Sequence, residues 1–167
     1  MTAAESPDAA KVDQARARRR EIGRQLVEAA VAALPGWVER SVVGRLPPAL
    51  GDARSADLMI LVETAGAAAA DEGRRGLEDA VRREPGIDHG PAPLQVLRSL
   101  VSHPTAVLRS LEIPEPERAP FDRQAFPDDV YDLSPATWAD IDPALHEPGI
   151  AWGAATAYLH KIQRPSS

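Results

Sequence analysis

DLMILVETAGAAAADEGRRGLEDA, residues Asp57–Ala80, is the stretch whose reading decides the fold. It opens on the densest apolar run of the chain, Leu58 to Val62, and continues into the small residues Gly66 to Ala70. Two structures compete for it. Leu58–Val62 as a buried strand would feed a helix over Thr64–Val81. A strand needs a pairing partner for its backbone N–H and C=O groups, and no other run in the chain resembles one. As a helix, Leu58, Val62, Ala65, Ala69, Leu77, Ala80 and Val81 trace one broad apolar stripe. The opposite face then carries Asp71/Arg75, Glu78/Arg82 and Asp79/Arg83, each acid one turn before its base. The spacing therefore predicts one long helix within Asp52–Glu84. Gly66, Gly73 and Gly76 each cost such a helix up to about 1 kcal/mol relative to alanine, so they mark a kink or the close approach of another helix.

Outward from this stretch, the pattern is helical in both directions. Ala9–Leu34 has an apolar face at Ile22, Leu26, Ala29, Ala30 and Ala33. Pro35-Gly36 punctuates it, and Trp37–Leu46 reads as a second, short helix ended by Pro47-Pro48. Downstream, Glu84–Pro93 is a loop by its Pro and Gly content. Pro93–Ser102 and Pro104–Leu111 are short helices that share the sequence VLRSL, a local coincidence or a two-copy duplication rather than a solenoid. Ile113–Pro127 holds four prolines without periodicity. It is expected to lie extended over the surface. Ser134-Pro135 and Asp142-Pro143 both read as helix starts. A last helix over Pro148–Gln163 presents Ile150/Ala151, Ala154/Ala155, Tyr158/Leu159 and Ile162 as its buried face. The expected fold is all-α: a frayed tail over 1–8, then a single irregular domain of about six to seven helices over 9–165, crossed by a long Pro-rich acidic segment.

Composition narrows the function classes. The 167 residues are 44% hydrophobic and 26% charged, enough for one self-sufficient core. There is no cysteine, which removes disulfides, thiolate metal sites and cysteine nucleophiles and fits a reducing compartment. The N-terminal residues lack a signal-peptide pattern. Glu63 interrupts the longest apolar run, which falls short of the roughly 20 residues of a membrane span. No membrane association and a cytoplasmic setting are expected. Lysine occurs only at Lys11 and Lys161 while Arg, Ala and Pro abound, a codon bias that suggests a GC-rich bacterial genome. Net charge is −6, and residues 112–167, with ten acidic and four basic side chains, account for a surplus of that size. Such a balance disfavours nucleic acid and favours a basic partner surface.

The chemistry-bearing motifs are sparse. Asp128-Asp129-Val130-Tyr131-Asp132 resembles the aspartate-rich DDxxD motif with which class I isoprenoid synthases hold magnesium and diphosphate. The resemblance implies carboxylate coordination of a hard cation. It spans five residues, lies between Pro127 and Pro135, and has no second metal motif beside it, so the aspartates read as solvated or capping groups. The arginines at 16, 18, 19, 20 and 24 form a basic cluster without aromatic residues for base stacking, and read as a solvated helical face. His89, His103, His146 and His160 show no metal-ligand spacing. No catalytic set, metal or cofactor is expected.

What remains is an acidic–aromatic segment. Six of the seven aromatic residues follow residue 120. Phe121, Phe126 and Tyr131 are interleaved with Asp122, Asp128, Asp129 and Asp132, and Trp138 follows them. An extended segment of this kind docks on a basic, grooved partner, or its rings pin a long loop to the core of its own domain. The leading expectation is a non-enzymatic protein-interaction or regulatory module that uses residues 121–138. The alternatives are a small-molecule binder or enzyme with a pocket between helices, near Gly66–Ala70 or Gly153–Ala155, and a helical assembly subunit (a homo-oligomer) that buries the central stripe between protomers.

Overall fold

The computed structural model describes residues 7–48, 55–117 and 130–164. Its elements are α1 (Pro7–Val43), α2 (Ala56–Arg82), α3 (Pro93–Ser99), α4 (Ser102–Ser110), the one-turn α5 (Trp138–Ile141), a 3₁₀ turn (Pro143–Leu145) and α6 (His146–Gln163). Among the described residues there is no strand. α1 and α2 pack along each other, α6 lies against α1, α3 packs on α2, and α4 packs on both α1 and α2.

The decisive stretch is one helix. Ser55 caps α2 by accepting from the Leu58 N–H at 3.1 Å, an interaction worth about 1 kcal/mol. Its buried line is Leu58, Val62, Gly66, Ala69, Gly73, Leu77, Ala80 and Val81, the expected stripe with two glycines added and Ala65 only half-buried. The expected outward pairs are replaced in part. Asp79 pairs with Arg83, whereas Glu78 meets Arg74 at 3.6 Å and Arg74 bridges to Glu28 of α1 at 2.7 Å.

The expected break at Pro35 does not occur. α1 runs through Pro35 to Val43, so Trp37–Leu46 is not a separate helix. The reason is a ridge at strict four-residue spacing. Leu26, Ala30, Leu34, Val38 and Val42 are all fully buried, and the ridge crosses the proline without a change of phase. A proline inside a helix costs about 3 kcal/mol. Burying one aliphatic side chain contributes about 1.5–3 kcal/mol, and Trp37, Val38 and Val42 all lie beyond the proline in the core.

The glycines of α2 mark where other elements approach it. A Cβ on Gly66 would stand 3.1 Å from the Pro35 Cα, and one on Gly73 would stand 2.5 Å from Leu34 Cδ1. The room expected beside Gly66–Ala70 is therefore taken up at Gly66 by the backbone of α1. The same packing corrects the assembly reading as first framed. The central stripe is buried against the chain's own α1, α3 and α4 and is not left for another protomer.

The VLRSL duplication has a local meaning. In both copies the serine donates back to a carbonyl three residues earlier, Ser99 to Val96 at 2.6 Å and Ser110 to Val107 at 2.7 Å. In both copies the final leucine is the C-cap, Leu100 for α3 and Leu111 for α4. The same five residues therefore end two helices. The first copy fills the main core around Leu34 and Leu77, the second a smaller core around Val42, Leu58 and Val62. After α4, Glu112 takes the left-handed conformation at φ 55°. Its N–H bonds Arg109 O, and the Ile113 N–H bonds Leu108 O, the doubled closure that usually selects glycine.

Helix starts near the C-terminus differ at one of two sites. Asp142 accepts from the Ala144 N–H at 2.9 Å, ahead of Pro143, as expected. Ser134-Pro135 does not begin a helix. Thr137 is the N-cap of α5, and Asp140 Oδ2 accepts from the N–H groups of both Ala136 and Thr137. A carboxylate three residues after a threonine completes a capping box, and the serine-proline pair has no equivalent.

Candidate functional site

Tyr131, Asp132 and Trp138 are the expected partner-binding residues that fall in the described chain. Phe121, Phe126, Asp128 and Asp129 lie outside it. Tyr131 faces inward, 1% exposed, in the smaller core with Val42, Leu58, Val62 and Leu108. Its hydroxyl donates to Ile113 O at 3.0 Å, which ties residue 131 to the end of α4. Trp138 is half-buried, and its indole lies against Gly149 at a distance that leaves no room for a Cβ there. Asp132 is exposed, with φ 60°. It borders a cleft of about 520 Å³ between the C-terminal end of α1 and residues 132–140, whose lining includes Arg40, Arg45, Asp132 and Asp140. The two rings anchor the segment and the acid stays at the surface.

Tyr131 makes a testable pH signature. Burial pushes its phenol above the ordinary value, with Glu115 adding to the effect and Arg109 opposing it. The folded state thus favours the neutral phenol. That contribution is complete below about pH 10, the unfolded value, and is lost as pH rises through the folded value. Tyr131→Phe should cost about 1 kcal/mol at neutral pH through the lost hydrogen bond and should flatten the alkaline decline. Urea titrations of both proteins across that range check this; parallel declines would exclude Tyr131 as a contributor.

The basic cluster of α1 is not one patch. Arg19 is 5% exposed. Its Nε donates to Thr156 Oγ1 at 2.8 Å, its Nη1 donates to Val81 O at 3.1 Å, and its guanidinium stacks 4.9 Å from the Trp152 ring centre. It joins α1, the C-terminal turn of α2 and α6. Burial works against its charge, and Glu84 partly offsets this. Arg16 donates to Glu84 at 2.9 Å, and Gln163 donates to the other carboxylate oxygen at 3.0 Å. Arg24 pairs with Glu21 at 2.8 Å. Only Arg18 turns toward the groove between α1 and α6, while Arg20 and Arg24 turn toward a separate groove between α1 and α2. A cluster read as a solvated face therefore includes a buried staple. The signal available in sequence was Gly23, four residues after Arg19, on which the Trp152 indole rests.

That staple fixes the rotation of α6, and the rotation overturns the expected face in part: Leu159 is buried and Ala155 and Ile162 are half-buried, as expected. Gly149 and Leu159 are buried, and Trp152 and Thr156 pack inward with them. Ile150, Ala151, Ala154 and Tyr158, expected in the core, are exposed. Ile150 is 59% and Tyr158 49% accessible. The helix carries apolar residues all round, so periodicity alone did not orient it. Trp152 packs against Gly23 and beneath the Arg19 guanidinium, and Thr156 supplies Arg19 with its acceptor while donating to Trp152 O at 2.9 Å. The outward face borders a groove of about 530 Å³ between α1 and α6, whose lining includes Ala15, Arg18, Ile22, Ala151, Ala154 and Tyr158. A Cβ on Gly153 would meet nothing within 4 Å.

Among the described residues no group of three or more His, Cys, Asp or Glu could hold a metal ion, and no helix is long and apolar enough to cross a membrane. His103 bonds Glu72 at 2.6 Å, a pair joining α4 to α2. Compared with family models, curated proteins and solved structures, the chain matches none.

Proposed function

We propose that the chain is a protein-interaction module that receives a helix of a protein partner on the outward face of α6. The observation that carries this reading is the exposure of Ile150 and Tyr158, 59% and 49%, on a helix that Arg19 and Trp152 hold against α1. Ala151, Gly153, Ala154 and Ala157 between them are small and exposed, so a second helix can approach to the close end of the usual 8–10 Å range. Large apolar side chains beside an apolar groove mark an interaction surface more often than a solvent face. The acidic–aromatic segment enters this reading as a secondary surface only, through Asp132 at its cleft, since Tyr131 anchors the core.

The test uses a photoreactive side chain at position 154 in the full chain, expressed in its own cells. Adducts with a defined protein are expected, and Ile150→Asp should abolish them. Ile150 is exposed, so this substitution should change stability by no more than about 0.5 kcal/mol. Adducts that are absent, or that persist unchanged in Ile150→Asp, would overturn the reading.

A further inference from the structure

The outward face of α6 has an internal symmetry. Glu147, Ala151, Ala154, Tyr158 and Lys161 follow one another at spacings of four, three, four and three, with Ile150 and Ala157 beside them. All seven are exposed. Reversing the helix about Ala154 places Glu147 on Lys161, Ile150 on Tyr158 and Ala151 on Ala157. A two-fold interface has this property: if residue i meets residue j, then j meets i. The four-three spacing keeps such a seam facing a second helix along its length.

We infer that the occupant of this face is a second copy of the chain, with the two α6 helices antiparallel and crossing at Ala154. This rests on the protein-interaction reading and names its partner. Small residues sit at the crossing, where the backbones come closest. Each Ile150 lies against the partner's Tyr158, so the two most exposed large apolar groups of the helix cover each other. At each end, Glu147 meets the partner's Lys161. Glu147 and Lys161 stand about 21 Å apart along one helix at 1.5 Å per residue, so a parallel pairing, which opposes like to like, would set acid on acid and base on base. Charge thus selects the antiparallel register as well as the partner.

Sedimentation equilibrium of the purified full chain should show a monomer–dimer equilibrium. Glu147→Lys and Lys161→Glu should each weaken the dimer by about tenfold, because each turns two attractive end contacts into two repulsive ones. The double exchange should restore it. The chain has no cysteine, so introduced thiols report geometry without background. Ala154→Cys should cross-link to itself, within the disulfide reach of about 4.4–6.8 Å between Cα atoms. Glu147→Cys alone should not, and a mixture of Glu147→Cys with Lys161→Cys should. A monomer at every attainable concentration, a double exchange no better than either single one, or Ala154→Cys that cross-links no faster than Glu147→Cys would each overturn the inference. The two levels separate cleanly. If the chain is monomeric while position 154 still captures a different protein in an Ile150-dependent way, the second-copy assignment falls and the interaction module stands. If position 154 captures nothing, both fall.

Discussion

Leu34→Ala should destabilise the protein by about 3–5 kcal/mol, and Gly73→Ala in the same chain should restore part of that loss. Leu34 is fully buried at the centre of the α1 ridge. Its Cδ1 occupies the space where a Gly73 side chain would begin, and Leu100 Cδ1 stands 3.2 Å from the same point. Alone, Gly73→Ala gains about 1 kcal/mol of helix propensity but overpacks the core, which costs about 1–3 kcal/mol. With Leu34 truncated, the new methyl group enters the vacated space and the propensity gain is kept. The double variant should be more stable than the two single effects predict by about 1–3 kcal/mol. Urea denaturation of the four proteins gives this coupling directly. Strict additivity would mean that Leu34 and Gly73 do not share a site.

Arg19→Ala should cost about 3 kcal/mol, through two charge-assisted hydrogen bonds and the packing of the stem under Trp152. The more informative substitutions are Met and Lys. Arg19→Met keeps the stem and removes the buried charge, an exchange that is often close to neutral; a cost of about 1–2 kcal/mol is expected, from the Val81 carbonyl left without its donor. Arg19→Lys keeps the charge but loses the planar fork that reaches Thr156 Oγ1, Val81 O and the indole face together, so it should cost more than Met. Thermal unfolding ranks the three. An order in which Lys is the mildest would show that charge, not fork geometry and stem packing, is what the site requires. Because Arg19 joins three helices, Arg19→Ala should also loosen α6 against α1, which hydrogen exchange along His146–Gln163 reports.

Some of this was legible before any coordinates. The helical assignment of Asp57–Ala80 followed from a backbone argument: with nothing to pair a strand, the polar groups of Leu58–Val62 had to be satisfied within the segment. Of the two meanings open for the glycines of α2, a kink or a close approach, the second holds: Pro35 approaches Gly66, Leu34 approaches Gly73 and Val96 approaches Gly76. Pro35-Gly36 misled because a local breaker was weighed against a local pattern, while the five-residue ridge from Leu26 to Val42 spans both sides of it. The acidic–aromatic segment was read as either a docking peptide or an anchored loop. Tyr131 itself is anchored, by a hydrogen bond to a carbonyl eighteen residues away, while Phe121 and Phe126 lie outside the described residues.

α6 marks the boundary between the two kinds of information. From sequence come its existence, its near-complete extent and its many apolar residues. A helix that is apolar all round has no preferred face of its own, so local periodicity could not say which side is buried. Contacts distant in sequence made that choice: Arg19 on Thr156 and Trp152, 137 residues apart in the first case, with Gly23 and Gly149 opening space for the two indoles. Sequence therefore determined that the chain is helical and that its middle is the core. Only the packing of α6 on α1 decided that Ile150 and Tyr158 would face outward, because one buried guanidinium and one indole fix a rotation that the spacing of apolar residues leaves free.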